Sequence, residues 1–150
     1  MAAAIRRLVP GDEAILEEFA IHDGEYDVEG RSQGLEPLSR TAARNYLSNP
    51  SILFWAALEE ATPVGFLQCF VLPLRAKAES EVLLYEIGVH HTKRRMGIGR
   101  SLLDEMRAWM RSNRVVEAWV LADNPGAVEF YKACGFATQD EMSVYMVLKG

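Results

Sequence analysis

"KRRMGIGRSLLDEM", Lys93 to Met106, decides how the rest of this chain is read. Its first half is basic and holds two glycines. Its second half carries Ile98, Leu102, Leu103 and Met106 at three- and four-residue steps, continued by Trp109 and Met110. That spacing puts the apolar side chains on one helical face and predicts a helix from near Gly97 to about Ser112. The turn in front of it offers the free N–H groups and positive dipole end of a helix N-terminus. Gly97 and Gly99 bring no Cβ to it, and Arg94, Arg95 and Arg100 stand beside it. These are the parts of an anion site, and a diphosphate uses them more fully than a lone carboxylate. Two phosphate-binding patterns do not apply: no lysine follows Gly99 as a P-loop needs, and Leu102 stands where a GxGxxG fingerprint needs its third glycine. Taken alone, the turn reads almost as well as a plain helix start with solvated arginines.

Working outward, "EVLLYEIGV" (Glu81 to Val89) before the turn and "VVEAWVLA" (Val115 to Ala122) after the helix read as strands, so the centre of the chain is a strand-turn-helix-strand unit. Ala3 to Val9 reads as a first strand. Pro10-Gly11-Asp12 then makes a turn with an N-cap for a helix carrying Ile15, Leu16, Phe19 and Ala20. His22 to Pro37 is an acidic, glycine-rich loop, and Ser39 caps a second short helix that ends before Asn49-Pro50. Ile52 to Glu59 and Val64 to Leu72 form an antiparallel hairpin, because so short a link cannot carry a parallel crossover. Pro125 to Cys134 reads as helix and Phe136 to Leu148 as terminal strand material. The sum is an α/β (α+β) chain: a mixed sheet flanked by helices.

At 150 residues, 49% of them hydrophobic, the chain is expected to fold as one domain over residues 1–150. Sixteen basic against twenty-one acidic residues give a net charge of -5, which excludes a general attraction for nucleic acid and favours a cationic partner. Neither a leader pattern nor a membrane-length apolar run appears, so a cytoplasmic location and no membrane partner are expected. Cys69 and Cys134 read as buried free thiols. His22, His90 and His91 make no recognisable ligand set with the scattered carboxylates, and no metal is expected.

"NPGAVEFYKACGF", Asn124 to Phe136, changes the reading of the turn. Together with the strand end "IGV" (Ile87 to Val89) and the R-x-x-G-x-G turn (Arg94 to Gly99), it resembles the GNAT superfamily of acetyl-CoA-dependent N-acyltransferases, with all three pieces in the family's order. The resemblance implies a mixed, mostly antiparallel sheet splayed at the acetyl-CoA site and flanked by about four helices. It implies that the anion is the pyrophosphate of coenzyme A, held by Arg95, Met96, Gly97, Ile98, Gly99, Arg100 and Ser101 with help from Arg94. The pantetheine then runs along Ile87, Gly88 and Val89 like an added strand, an N–H such as that of Val89 polarises the thioester, and Asn124 contacts the cofactor arm. Tyr131 matches the family tyrosine beside the sulfur, whose phenol can protonate the leaving thiolate.

Glu86 directly precedes "IGV". Simple alternation puts Leu84, Glu86 and Gly88 on one face and Tyr85, Ile87 and Val89 on the other. A carboxylate on a central strand has its pKa raised by burial, toward competence as the base for an amine, and it can also bind a cationic substrate.

A closer resemblance runs from Phe70 to Leu103 and through "DEMSVYMV" (Asp140 to Val147): both are similar to the GNAT-type aminoglycoside 3-N-acetyltransferases. It implies an aminoglycoside acceptor acetylated at its 3-amino group, and hence antibiotic resistance. Glu25, Asp27, Glu86, Asp123, Asp140 and Glu141 are the expected acceptor contacts. The chain departs from that pattern at Asp123 to Gly126, which is shorter, and at Asp23 to Pro37. A polyamine, another small amine or a protein amino group therefore stay open as acceptors, as does a non-catalytic acyl-CoA sensor. The apolar run Met142 to Leu148 suits a homodimer seam or core equally.

Overall fold

The expected hairpin forms as β2 (Ile52–Glu59) and β3 (Thr62–Pro73), and it is the middle of a five-stranded sheet. The computed structural model describes residues 2–26, 33–139, 141 and 143–150. β1 (Ala4–Arg7) pairs antiparallel with β2, β4 (Ser80–Val89) antiparallel with β3, and β5 (Val115–Trp119) parallel with β4, in the order β1-β2-β3-β4-β5. The helices are α1 (Glu13–Ile21), α2 (Arg40–Ser48), α3 (Ile98–Ser112) and α4 (Pro125–Ala133), with 3-10 turns at Asp23–Glu25 and His91–Lys93.

Local chemistry explains most of these boundaries. Ser39 Oγ accepts from Ala42 N–H at 3.1 Å and starts α2. Asn124 Oδ1 accepts from Ala127 N–H at 2.8 Å and starts α4, with Pro125 in its first turn. Asp12 occupies the N-cap position of α1 without capping it; its Oδ2 accepts from Val9 N–H and from Arg6, both at 2.8 Å, and so closes the preceding turn.

The sheet separates two cores. On the α3/α4 side lie Leu53, Leu67, Val82, Leu84, Leu102, Leu103 and Met106, all essentially without solvent contact. On the α1/α2 side lie Leu8, Phe19, Tyr26, Leu47, Phe54, Ala56 and Phe66, with Phe54 and Phe66 stacked at 5.6 Å. Each fully buried leucine or phenylalanine stabilises the fold by about 1.5–3 kcal/mol, and this burial clamps the helices to the sheet.

Three expectations are corrected. Simple alternation fails in β4: Gln68 pairs with Glu86 and the next ladder position pairs Cys69 with Leu84, so Tyr85 is an extra, bulged residue. Leu84 consequently shares the α3/α4 face with Ile87 and Val89, while Glu86 and Gly88 belong to the Phe66 side. The strand expected to run to Ala122 ends at Trp119, where its pairing with Leu83 ends. Among the described residues of Phe136 to Leu148 none is in a strand. Val144, Tyr145, Met146 and Leu148 are 77–98% exposed, because no sheet edge pairs with them in the single chain.

Candidate active site

Beyond the Leu83–Trp119 pair, β4 keeps β3 on one side and, among the described residues, has no strand on the other. A bulge bends its strand, and the bend at Tyr85 lies next to the point where β4 and β5 part. The edge of β4 from Leu84 to Val89 is thus open to an extended ligand that adds as a strand.

The basic turn lies just past that edge. Gly97 stands at the N-cap of α3 with φ +84° and has no side chain to satisfy the first N–H groups of the helix. Arg95 also has a positive φ, +63°. Gly99 serves a different need: a Cβ there would lie 3.0 Å from Phe130, so its bareness lets α4 pack on α3. Arg95, Met96 and Arg100 are exposed, Ser101 N–H donates to Gly97 O at 3.0 Å, and Arg100 reaches Ala133 O at 3.1 Å, joining the turn to the end of α4. The Arg94 guanidinium donates from Nε to Val89 O and from a terminal nitrogen to Tyr26 O, both at 3.3 Å.

Tyr131 is buried between α4 and the sheet, its ring against Phe130 and Phe136 at 5.3 Å each. Burial above all, then the charges of Asp123, Cys69 and Cys134, push its phenol up to about 12. Asp123 accepts from the Asn124 amide at 3.1 Å.

Glu86 is exposed on one side and packed on the other. Burial first, and the Asp23 carboxylate second, raise its pKa above the ordinary glutamate value, although solvent still reaches the residue. Tyr46 of α2 joins this group: its own phenol is pushed up by burial and then by Glu86. Sequence reading missed Tyr46, which lies in "RNYLS" with nothing to mark it off from an ordinary helical aromatic.

Two of the other expected acceptor contacts have partners of their own: Asp123 is bonded to Asn124, and Glu25 to a histidine. Glu25 is 47% exposed and accepts from His91 Nε2 at 2.7 Å, with His90 Nε2 at 3.5 Å. Ligand atoms of Glu25, His90 and His91 lie within 4.8 Å of one another, and among the described residues this is the set placed to share a cation. Sequence reading missed it because Glu25 and His91 are 66 residues apart. Glu141 is exposed, and Asp27 and Asp140 lie outside the described residues. A surface concavity of about 470 Å³ is lined by Glu59, Glu60, Thr62, Val64 and Lys93, none of them expected in either site.

The Acetyltransferase (GNAT) family model matches residues 16–136. An uncharacterized N-acetyltransferase of Methanocaldococcus jannaschii is 34% identical over 92 residues, which are 58% of this chain and 40% of that protein. An aminoglycoside acetyltransferase from an uncultured soil metagenomic sample superposes with a TM-score of 0.87 over 100% of both chains at 21% identity. A second one, from an uncultured soil metagenomic sample and solved with sisomicin, gives a TM-score of 0.81 at 21% identity, covering 98% of this chain and 97% of that one. At such identities the two structures establish a common fold.

Proposed function

The chain belongs to the GNAT acetyltransferase family, and from that premise we propose that it transfers the acetyl group of acetyl-CoA to the 3-amino group of an aminoglycoside, conferring resistance. The observation that carries the reading is the open edge of β4, flanked by the uncapped, arginine-lined start of α3 and by Glu86. The free N–H groups at Gly97 to Arg100 suit the pyrophosphate, with Met96, Ser101 and the exposed Arg95 and Arg100 around it. Acetyl-CoA supplies the thioester carbonyl that the amine attacks; its pantetheine would lie along Ile87, Gly88 and Val89, with Asn124 on the arm.

Glu86 takes the proton from the acceptor ammonium, directly or through water, and its raised pKa suits it to that exchange. The N–H of Val89 is the donor assigned to the thioester oxygen. As the C–S bond breaks, Tyr131 gives its phenolic proton to the departing thiolate. Its pKa of about 12 keeps that proton in place until the thiolate forms. Acetylation removes one positive charge from a drug that binds RNA phosphates.

Support for the acceptor class comes from the sisomicin complex of a structural neighbour and from Asp23, whose charge acts on Glu86, so that two carboxylates are on hand for a polycationic amine. We further propose a homodimer built on the exposed apolar residues Val144, Tyr145, Met146 and Leu148. The test of function is thiol release from acetyl-CoA with gentamicin, kanamycin, spermidine and a lysine-bearing peptide. Turnover confined to the aminoglycosides, with the product acetylated at N3, is expected. Turnover confined to the polyamine or peptide replaces the acceptor, and coenzyme A binding without any turnover favours a sensor.

A further inference from the structure

The Arg94 side chain joins two parts of the molecule that the proposed reaction uses separately. One partner is Val89 O, at the end of the strand assigned to the pantetheine; the other is Tyr26 O, both at 3.3 Å. Tyr26 closes the 3-10 turn that begins at Asp23, and its N–H donates to Asp23 O at 3.0 Å. The turn is seated from three more directions. Tyr26 Oη donates to Pro63 O at 3.1 Å, Glu25 accepts from His91 at 2.7 Å, and the Tyr26 Cβ lies 3.2 Å from where a Cβ on Gly88 would stand. Gly88 thus lets Tyr26 rest directly on β4, two residues from Glu86.

We infer that Arg94 is a positioning residue that pins the Asp23–Tyr26 turn onto the end of β4, so that Asp23 stands beside Glu86 as part of the acceptor site. This rests on the acetyltransferase reading above. Its chemistry differs from that of a phosphate ligand. Both partners of Arg94 are carbonyl oxygens, and the planar guanidinium reaches them from two different nitrogens, a fixed spread that the single nitrogen of a lysine ammonium lacks. A phosphate ligand replaced by lysine would instead show its loss in coenzyme A affinity.

The test compares Arg94→Lys with the parent protein by three readouts: coenzyme A affinity by calorimetry, steady-state acceptor kinetics, and amide hydrogen exchange at Glu25 and Tyr26. The expected result is an acceptor KM raised about fivefold or more, kcat and coenzyme A affinity within about twofold, and about tenfold faster exchange in the turn. Asp23→Asn should raise the acceptor KM as well. The double variant should be no worse than the poorer single one, because Arg94 acts through the placement of Asp23. Coenzyme A affinity lowered about tenfold with acceptor KM unchanged would make Arg94 a phosphate ligand and overturn the inference, as would unchanged exchange in the turn. If Arg94→Lys does not fold, Arg94→Gln, which can still reach one carbonyl, carries the same comparison. Exchange and coenzyme A binding need no turnover, so a parent protein that acetylates none of the acceptors refutes the proposed function while the inference is still judged on the turn.

Discussion

Gln68 and Glu86 face each other across the β3–β4 ladder, and the adjoining pair, Cys69 and Leu84, leaves Tyr85 between them without a partner. This one-residue excess bends β4 where β5 stops following it, and the open edge begins there. The ladder on both sides of the bulge keeps its faces: Leu84 and Ile87 to α3, Glu86 and Gly88 to Phe66.

Deleting Tyr85 should therefore straighten β4 without turning any neighbouring side chain to the wrong face. The protein is expected to stay folded while the slot narrows, with coenzyme A affinity lowered about tenfold or more. Circular dichroism and calorimetry on the deletion variant check this; undiminished coenzyme A binding would separate the bulge from the slot.

Glu86→Gln should lower kcat by about 10²–10⁴-fold, the range of a lost general base. In the parent protein the rate should rise with pH and level off above the raised Glu86 pKa, and the variant should lose this limb. The sign for stability is opposite. A carboxyl whose folded-state pKa is raised favours the protonated form, so its contribution is full below the unfolded value and is lost as pH rises through the folded one. At neutral pH the glutamine variant should thus be slightly more stable than the parent, by under about 1 kcal/mol because the group is exposed and screened. Melting curves at pH 7 and well below 4.5 check it: the advantage should vanish in acid.

Tyr131→Phe keeps the ring between Phe130 and Phe136 and removes only the hydroxyl. The fold should be retained and kcat should fall by at least about tenfold, with coenzyme A affinity little changed. An acceptor whose amine proton can be relayed to the sulfur would show the smallest loss, and an unaffected kcat with every acceptor would remove Tyr131 from the mechanism.

Two glycine substitutions should fail for different reasons. Gly97→Ala meets no atom within 4 Å but is forced to φ +84°, a cost of about 1–2 kcal/mol that should appear in melting and in coenzyme A affinity together. Gly88→Ala would bring a Cβ to 2.6 Å from the Phe66 ring and 3.2 Å from Tyr26 Cβ, costing about 1–3 kcal/mol through overpacking. Its kinetic effect should fall on the acceptor KM, since Tyr26 would have to lift.

Replacing Val144 and Met146 by serine should leave the melting temperature nearly unchanged, because both side chains are more than 80% exposed. If these residues form the subunit contact, sedimentation should shift from dimer to monomer. A parent protein that sediments as a monomer at micromolar concentration refutes the proposed seam.

The sequence by itself determined the elements whose signals are local. The apolar steps from Ile98 to Met110 are enough to specify α3, Ser39 and Asn124 cap the helices they precede, and the short link at Pro63 can only join antiparallel strands. The anion-binding character of the turn was legible for the same reason, since glycines, arginines and the helix start are neighbours in the chain. Only the tertiary structure decided matters in which distant residues compete for the same space or charge. A bulge arises from how β3 and β4 lie against each other, so alternation in β4 alone assigned Leu84 to the wrong face. Gly97 and Gly99 look alike in sequence, but one is required by its backbone angle and the other by Phe130. Arg94 read as one more cation for a phosphate, and only the fold shows Tyr26, 68 residues away, within reach of its guanidinium. Helix periodicity and capping act over three or four residues, whereas a long charged side chain is committed by whatever the folded chain brings within about 3 Å of its end.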